Sequence, residues 1–363
     1  MPIYKTDNKP FTGPHVLDKP PPFHELLCRY GERPYWSPDG QRIAFIENNY
    51  GDVCEMDFRT REVRNLTKGL GEHHSFLRVL YLPNGDYLFI GPKVFKDRHT
   101  SRHLECEIWL MDKSGTTPPV PLGLKIAEGM AVSAGANRFA YATHGGHDAR
   151  IGGMDDFECH VIDLDYRDGK PVIASDRVVY RNVDKRRPEP QDFRHGDSEL
   201  IFAEYLGSRT RDDGRPWSTV TRGIDLASLD VRTYVSEPLT HNECEGIFPD
   251  HEHICLETSC DFVNQFPPID LWKLKLDGSG RRVRMTQLFD HAPWRASNSN
   301  ISPDGRWMAF MVNTYTSEPG FGMGLGLFDL EAWSKSPQAQ EWETPAERAA
   351  LRAAGKLPPE PVL

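Results

Sequence analysis

Two stretches of the chain repeat one pattern of apolar and polar positions. Trp36-Ser37-Pro38-Asp39-Gly40-Gln41-Arg42-Ile43-Ala44-Phe45-Ile46 and Ile301-Ser302-Pro303-Asp304-Gly305-Arg306-Trp307-Met308-Ala309-Phe310-Met311 each set a Ser-Pro-Asp-Gly turn between two short apolar runs. Proline presets φ for a tight turn and glycine accepts the positive φ such turns need, so each stretch predicts a β-hairpin. Weaker copies lie between them, with turns near Asn84-Gly85, Gly135, His195-Gly196 and Asp250. A second mark recurs in phase with the first. Asp57, Asp112, Asp163, Asp225, Asp277 and Asp329 each close an apolar run, and a turn and a further short run follow, clearest over 62–67 and 282–286.

Strand, turn, strand, loop, strand, turn, strand, repeated six times, predicts an all-β fold: a single β-propeller of six four-stranded blades. The count leaves a seventh blade open. The sixth unit has no fourth strand after Leu330, so the N-terminal run 23–28 is expected to complete it and close the ring, which removes exposed strand edges. The expected division is an N-terminal extension over 1–22, a propeller over 23–335 and a C-terminal tail over 336–363. In that tail, Thr344-Pro345-Ala346-Glu347 reads as a capping box with proline in the first turn, and Gly355 as a stop, so 344–354 predicts a short external helix.

Propeller topology puts the first-to-second and third-to-fourth strand turns on one face, and the second-to-third loops with the blade-to-blade connections on the other. The first set is tight here. The second is long, over 92–105, 144–156, 207–218, 259–268 and 313–322, and long loops on a rigid scaffold tend to carry function. His73, His74, His99, His103, His144, His147, His241 and His291 fall on that mouth face, while His15, His24, His160, His195, His251 and His253 do not. Arg78, Arg98, Arg102, Arg150, Arg187, Arg209, Arg211 and Arg295 crowd the mouth as well. Such a mouth suits an anionic small molecule or oligosaccharide, a carboxylate or sugar acid.

Residues entering the innermost strands should face the axis: Glu32-Arg33, Glu72-His73-His74, Glu128, Glu189 with Gln191, His241 with Glu243 and Glu245, and Arg295 with Asn298. Buried without partners such groups are costly, so they pair, hydrate or hold a ligand. His241, Glu243 and Glu245 could also hold a divalent cation, manganese, zinc or calcium. Trp294 and Trp36, near the mouth ends of innermost strands, could stack on a sugar or fill the core.

Composition trims the alternatives. A net charge of −10 over 363 residues disfavours nucleic-acid and anionic-membrane partners, and no apolar run is long enough to cross a bilayer. Seven cysteines without a Cys-x-x-Cys pair, and a start with no apolar leader core, fit a cytoplasmic protein. No Gly-x-Ser-x-Gly elbow occurs, and the glycine-rich run 320–326 precedes a strand rather than a helix, so neither a serine nucleophile nor a phosphate cradle is expected.

The Ser-Pro-Asp-Gly-x-x-x-Ala-Phe hairpins at 37–45 and 302–310 resemble the PD40-type repeats of TolB-like β-propellers. Within that group the chain is similar to the β-propeller polysaccharide lyases, of the oligogalacturonate and rhamnosyl-glucuronate types, through residues 73–78 and 243–250. Those lyases have seven blades, and their His-x-His type metal ligands have no evident match in the last unit here. The resemblance implies β-elimination next to a uronic acid. The carboxylate is then neutralised by arginine or metal, and a neutral histidine takes the proton alpha to it. On that basis His73 or His74 is the expected base, and Arg78 or Arg295 the carboxylate partner. Gln191, His241, Glu243, Glu245 and Asn298 would bind sugar hydroxyls or a cation, and Trp294 a sugar face. A non-catalytic protein-binding scaffold, and an isomerase or hydrolase for another anionic small molecule, are the other readings.

Overall fold

The computed structural model of the chain describes residues 13–206, 218–260, 269–314, 317 and 321–357. Six four-stranded antiparallel sheets follow one another around a ring. Blade 1 is β2 (Glu32–Trp36), β3 (Arg42–Ile46), β4 (Val53–Asp57) and β5 (Val63–Asn65); blade 2 is β6 (Arg78–Tyr81), β7 (Tyr87–Gly91), β8 (Glu107–Met111) and β9 (Val120–Lys125). Blade 3 is β10 (Met130–Val132), β11 (Arg138–His144), β12 (Phe157–Arg167) and β13 (Lys170–Arg181). Blade 4 is β14 (Arg187–Arg194), β15 (Glu199–Leu206), β16 (Ser218–Asp225) and β17 (Val231–Val235), and blade 5 is β18 (Asn242–Ile247), β19 (His253–Thr258), β20 (Asp270–Lys275) and β21 (Arg282–Arg284). Blade 6 is β22 (Trp294–Ile301), β23 (Trp307–Thr314) and β24 (Leu325–Asp329), and its fourth strand is the N-terminal β1 (His24–Cys28), which pairs His24 with Phe328 and Leu26 with Gly326.

The repeated sequence marks have local causes. Ser37 Oγ donates to Asp39 Oδ1 at 2.5 Å while accepting from Arg42 N at 2.9 Å, and Asp39 Oδ1 also takes Gln41 N at 3.0 Å. Ser302 and Asp304 make the same three bonds at 2.5, 2.9 and 3.0 Å. The motif is thus a side-chain cast of its own turn, with Gly40 and Gly305 at φ 68° and 71°. Asp57, Asp225 and Asp277 accept backbone N–H groups two residues on at 2.9–3.0 Å and close the third-strand turns, and Asp329 caps α2 (Leu330–Ser334). Asp163 differs because β12 runs on to Arg167. It pairs instead with Arg138 at 2.7 Å.

Inward-facing apolar residues alternate along the strands and fill the wedges between blades, as in the cluster of Cys255, Leu271, Trp294, Met308, Phe310 and Phe328. The packing has little slack. A Cβ on Gly326 would sit 2.2 Å from the ring of buried Phe310, so Gly326→Ala should destabilise the protein by about 1–3 kcal/mol, read as a lower urea midpoint at unchanged m. In the tail, α3 (Pro345–Ala353) starts with the full Thr344/Glu347 capping box. No helix among the described residues is long and apolar enough to cross a membrane.

Candidate functional site

The innermost strands β2, β6, β10, β14, β18 and β22 surround the axis, and four of them are bulged: β2 between Glu32 and Tyr35, β14 between Pro190 and Asp192, β18 between Cys244 and Ile247, and β22 between Ser297 and Asn300. A bulge breaks the two-residue alternation and re-aims side chains. Arg33, Glu128 and Asn298 adopt positive φ (51°, 77° and 46°) at or beside these strands.

Low in the channel the axis is shut by polar contacts. Arg78 lies 3.4 Å from Glu245 and donates to Gln191 at 3.5 Å, and Asn298 donates to Glu245 at 3.1 Å. The space left among Arg33, Tyr35, Arg78, Gln191, Glu245 and Asn298 is about 30 Å³. That is room for a water or two and not for a sugar ring. Burial raises the Glu245 carboxyl to about 7, with Arg78 opposing.

Nearer the mouth the charges form two adjoining groups. In the first, Glu128 accepts from Arg33 at 3.1 Å and from Arg102, which is carried by the mouth-loop helix α1 (Arg98–His103). Burial would raise Glu128, but Arg102, Arg33 and Arg187 outweigh it and hold it well below the carboxylate range. Arg187 pairs with Glu189 at 2.8 Å and lies over the Tyr205 ring at 4.5 Å. Burial, with the Arg187 and Arg102 charges, pushes half-buried His103 down to about 3, so its imidazole is neutral at pH 7. Burial and the neighbouring Glu189 and Glu243 keep the Tyr205 phenol protonated.

The second group is centred on His241. Its Nδ1 faces Thr219 Oγ1 at 3.0 Å, and its Nε2 lies 3.2 Å from Glu243 and 4.0 Å from Glu257. Glu257 is the cross-strand partner of Glu243 in the β18–β19 register, and it also accepts the Asn298 backbone N–H. All three are buried, and one ligand atom from each lies within 4.8 Å of the others. Burial, and then the charges of Glu243 and Glu245, raise Glu257 well above its ordinary range. One imidazole nitrogen oriented by a hydroxyl and two carboxylates crowded against each other fit a divalent cation.

Not all the expected residues meet here. Gln191, His241, Glu243, Glu245, Arg78 and Asn298 do line the axis, Gln191 donating to Glu243 at 3.1 Å. His73 does not. β6 begins at Arg78, so 72–74 lie in the connection before it, and His73 packs its ring 4.0 Å from Phe76 and 4.1 Å from Trp109 with Nε2 bonded to the Pro92 carbonyl at 2.8 Å. His74 pairs with Asp52 at 2.7 Å on the rim. Arg295 is buried and donates to Asn313 at 2.9 Å, and its charge acts on Glu257 rather than on an open carboxylate site. Trp294, 4.8 Å from the His15 ring, and Trp36, 4.7 Å from Phe58, belong to the core. The group whose geometry could hold a cation is His241, Glu243 and Glu257, with Glu245 turned to Arg78 instead. Arg209 and Arg211 lie outside the described residues.

Glu257, Tyr205 and the helix α1 do not stand out in the sequence, although Arg102 and His103 count among the expected mouth residues. Glu257 sits on a second strand, where only its place in an otherwise apolar run, Ile254-Cys255-Leu256, signals it. For α1 the signal is Asp97, whose side chain accepts Thr100 N at 2.9 Å as its N-cap.

No protein-family model matches the chain, and no relative is found among curated proteins. Solved structures do match. A tricorn protease is 13% identical with a TM-score of 0.52, over 88% of this chain but 26% of its own. An oligogalacturonate lyase in complex with manganese is 15% identical with a TM-score of 0.48, over 84% of this chain and 79% of its own. TolB from Acinetobacter baumannii is 12% identical with a TM-score of 0.44, over 76% of this chain and 61% of its own. At such identities the likeness shows the fold alone: the chain is a β-propeller, built here of six four-stranded blades.

Proposed function

We propose that the protein is a carbon–oxygen lyase that cleaves next to a uronic acid at the mouth of the propeller channel. The observation that carries this reading is that a neutral imidazole (His103), two arginines (Arg102 and Arg187), a protonated phenol (Tyr205) and a cation-fitting triad (His241, Glu243 and Glu257) share one rim of one channel. β-Elimination needs that assortment: charge neutralisation on the carboxylate, a base for the alpha proton and a donor for the leaving oxygen.

Arg187 and Arg102 receive the uronate carboxylate and stabilise the charge that builds on it. His103 takes the C5 proton. The C5–H electron pair becomes the C4–C5 double bond, the C4–O4 bond breaks, and O4 takes a proton from Tyr205. A divalent cation held by His241, Glu243 and Glu257 would supply Lewis-acid neutralisation of the same carboxylate.

A panel of uronate glycans, followed by absorbance of the new double bond, tests the reading. His103→Asn should lower kcat by about 10²–10⁴ with KM little changed. Full turnover in that variant would remove the base, and no signal on any acidic glycan would remove the lyase.

A protein-binding scaffold is the second reading, favoured by the shut axis around Arg78 and Glu245. Against it, the exposed large apolar side chains among the described residues are scattered and include one aromatic, Tyr30.

A further inference from the structure

The mouth loop 144–156 begins His144-Gly145-Gly146-His147, and nothing in the chemistry above uses these residues. Their geometry is unusual. The two imidazoles stack with centroids 3.9 Å apart, and both Nε2 atoms lie 2.8 Å from a single acceptor, the backbone carbonyl of His103. That carbonyl is at the last residue of α1, among those a helix leaves without an internal partner. A carbonyl can only accept, and it has two lone pairs, so both rings carry their proton on Nε2. The remaining ring nitrogens are then acceptors. His144 Nδ1 takes the Gly146 N–H at 3.0 Å, and His147 Nδ1 faces the Thr143 hydroxyl at 3.0 Å. A second proton on His144 would set donor against donor. The glycines are required too: a Cβ on Gly146 would lie 2.7 Å from the His144 ring, and one on Gly145 2.1 Å from the Gly152 carbonyl.

We propose that the His144-Gly145-Gly146-His147 turn of blade 3 is a positioning clamp for helix α1, holding Arg102 and His103 of blade 2 against Glu128 and Arg187 only while both imidazoles are neutral. Its consequence for catalysis rests on the lyase reading, but the clamp itself does not. Other charges facing the pair are Asp155 beside His144, Lys125 beside His147, and Arg102, Arg187, Glu128 and His99 around His103. Phe157 covers the apolar side of His144, ring to ring at 5.2 Å.

The sign is fixed by burial. It lowers both imidazoles, His147 from 6.5 to about 4, so the clamp is fully stable above pH 6.5 and weakens as the pH falls towards 4. His147 alone favours release by roughly 30-fold at pH 5.

Hydrogen exchange of the full-length protein, normalised at each pH to unprotected exchange, tests this without a substrate. Protection over 98–105 should fall at least 30-fold between pH 7.5 and 5, while a core segment such as 308–312 stays protected. In the double variant His144→Gln/His147→Gln, whose amides keep an N–H near the Nε2 position and do not titrate, the fall should be under threefold. Wild-type protection that is flat with pH, a fall shared with 308–312, or an unchanged pH response in the glutamine variant would each overturn the clamp. Absence of lyase activity alongside the expected exchange pattern would overturn only the function.

Discussion

Glu257→Gln is expected to weaken manganese or zinc binding at least a hundredfold while making the metal-free protein more stable. The two effects have opposite signs for one reason. Glu243, Glu245 and Glu257 are all buried around the axis; Glu243 opposes the ionisation of Glu245, and both oppose that of Glu257. Without a cation, the crowding of like charges in a low-dielectric site is a standing cost. Glutamine keeps an oxygen to accept the Asn298 N–H and removes a carboxyl that folding holds well above its ordinary range, so at neutral pH, where the unfolded chain would ionise it, the metal-free variant should gain about 1–3 kcal/mol and melt a few degrees higher. With a cation present, the same change removes one of two anionic ligands. Calorimetric titration with the metal and thermal unfolding with and without it give both readings. His241→Gln separates the causes: it should lose the cation without relieving the repulsion, so its metal-free form should not gain stability. A wild type that binds neither metal would end the cation reading. A Glu257→Gln protein less stable than wild type without metal would mean that the carboxylates are compensated in some other way.

What the chain disclosed beforehand follows from how local each cause is. The hairpins were legible because Ser37, Asp39 and Gly40 build their turn from their own side chains, and residues 302–305 build it again. The closing strand was legible by subtraction, since six innermost hairpins and one missing outer strand leave a single place for residues 23–28. Gln191, Glu243 and Glu245 could be assigned to the axis because propeller topology fixes which strand is innermost. His73 could not be placed the same way. Whether a residue enters the channel depends on where β6 starts, and nothing near 73–78 marks that boundary. Glu257 escaped for a related reason: it reaches the centre by pairing across from Glu243, a register relation between strands that spacing along one strand does not reveal. Helix α1 lies inside a loop, and its meaning comes from a carbonyl that blade 3 binds.

A protein lacking residues 1–28 should not form a stable propeller, and this is the largest effect expected of any single change. β1 contributes buried His24 and Leu27 to blade 6, and the turn before it adds buried Val16 and Leu17 beside Trp294 and Phe328. Burying an aliphatic side chain contributes about 1.5–3 kcal/mol, so Val16, Leu17 and Leu27 alone account for about 5–9 kcal/mol. Domain stability is about 5–15 kcal/mol in all. Removal also opens the whole edge of β24, with unpaired backbone groups over Leu325–Phe328 that invite association between chains. The expected result is loss of the cooperative thermal transition and a high-molecular-mass elution profile. A peptide spanning residues 13–30, added in excess, should restore part of the folded signal, because it returns the strand without the covalent link. Its deficit relative to the intact chain measures the entropy of joining the ends. A truncated protein that stays monomeric and unfolds in one sharp transition would show that five blades and a three-stranded sixth close the ring unaided, and that β1 is decoration on the outer face.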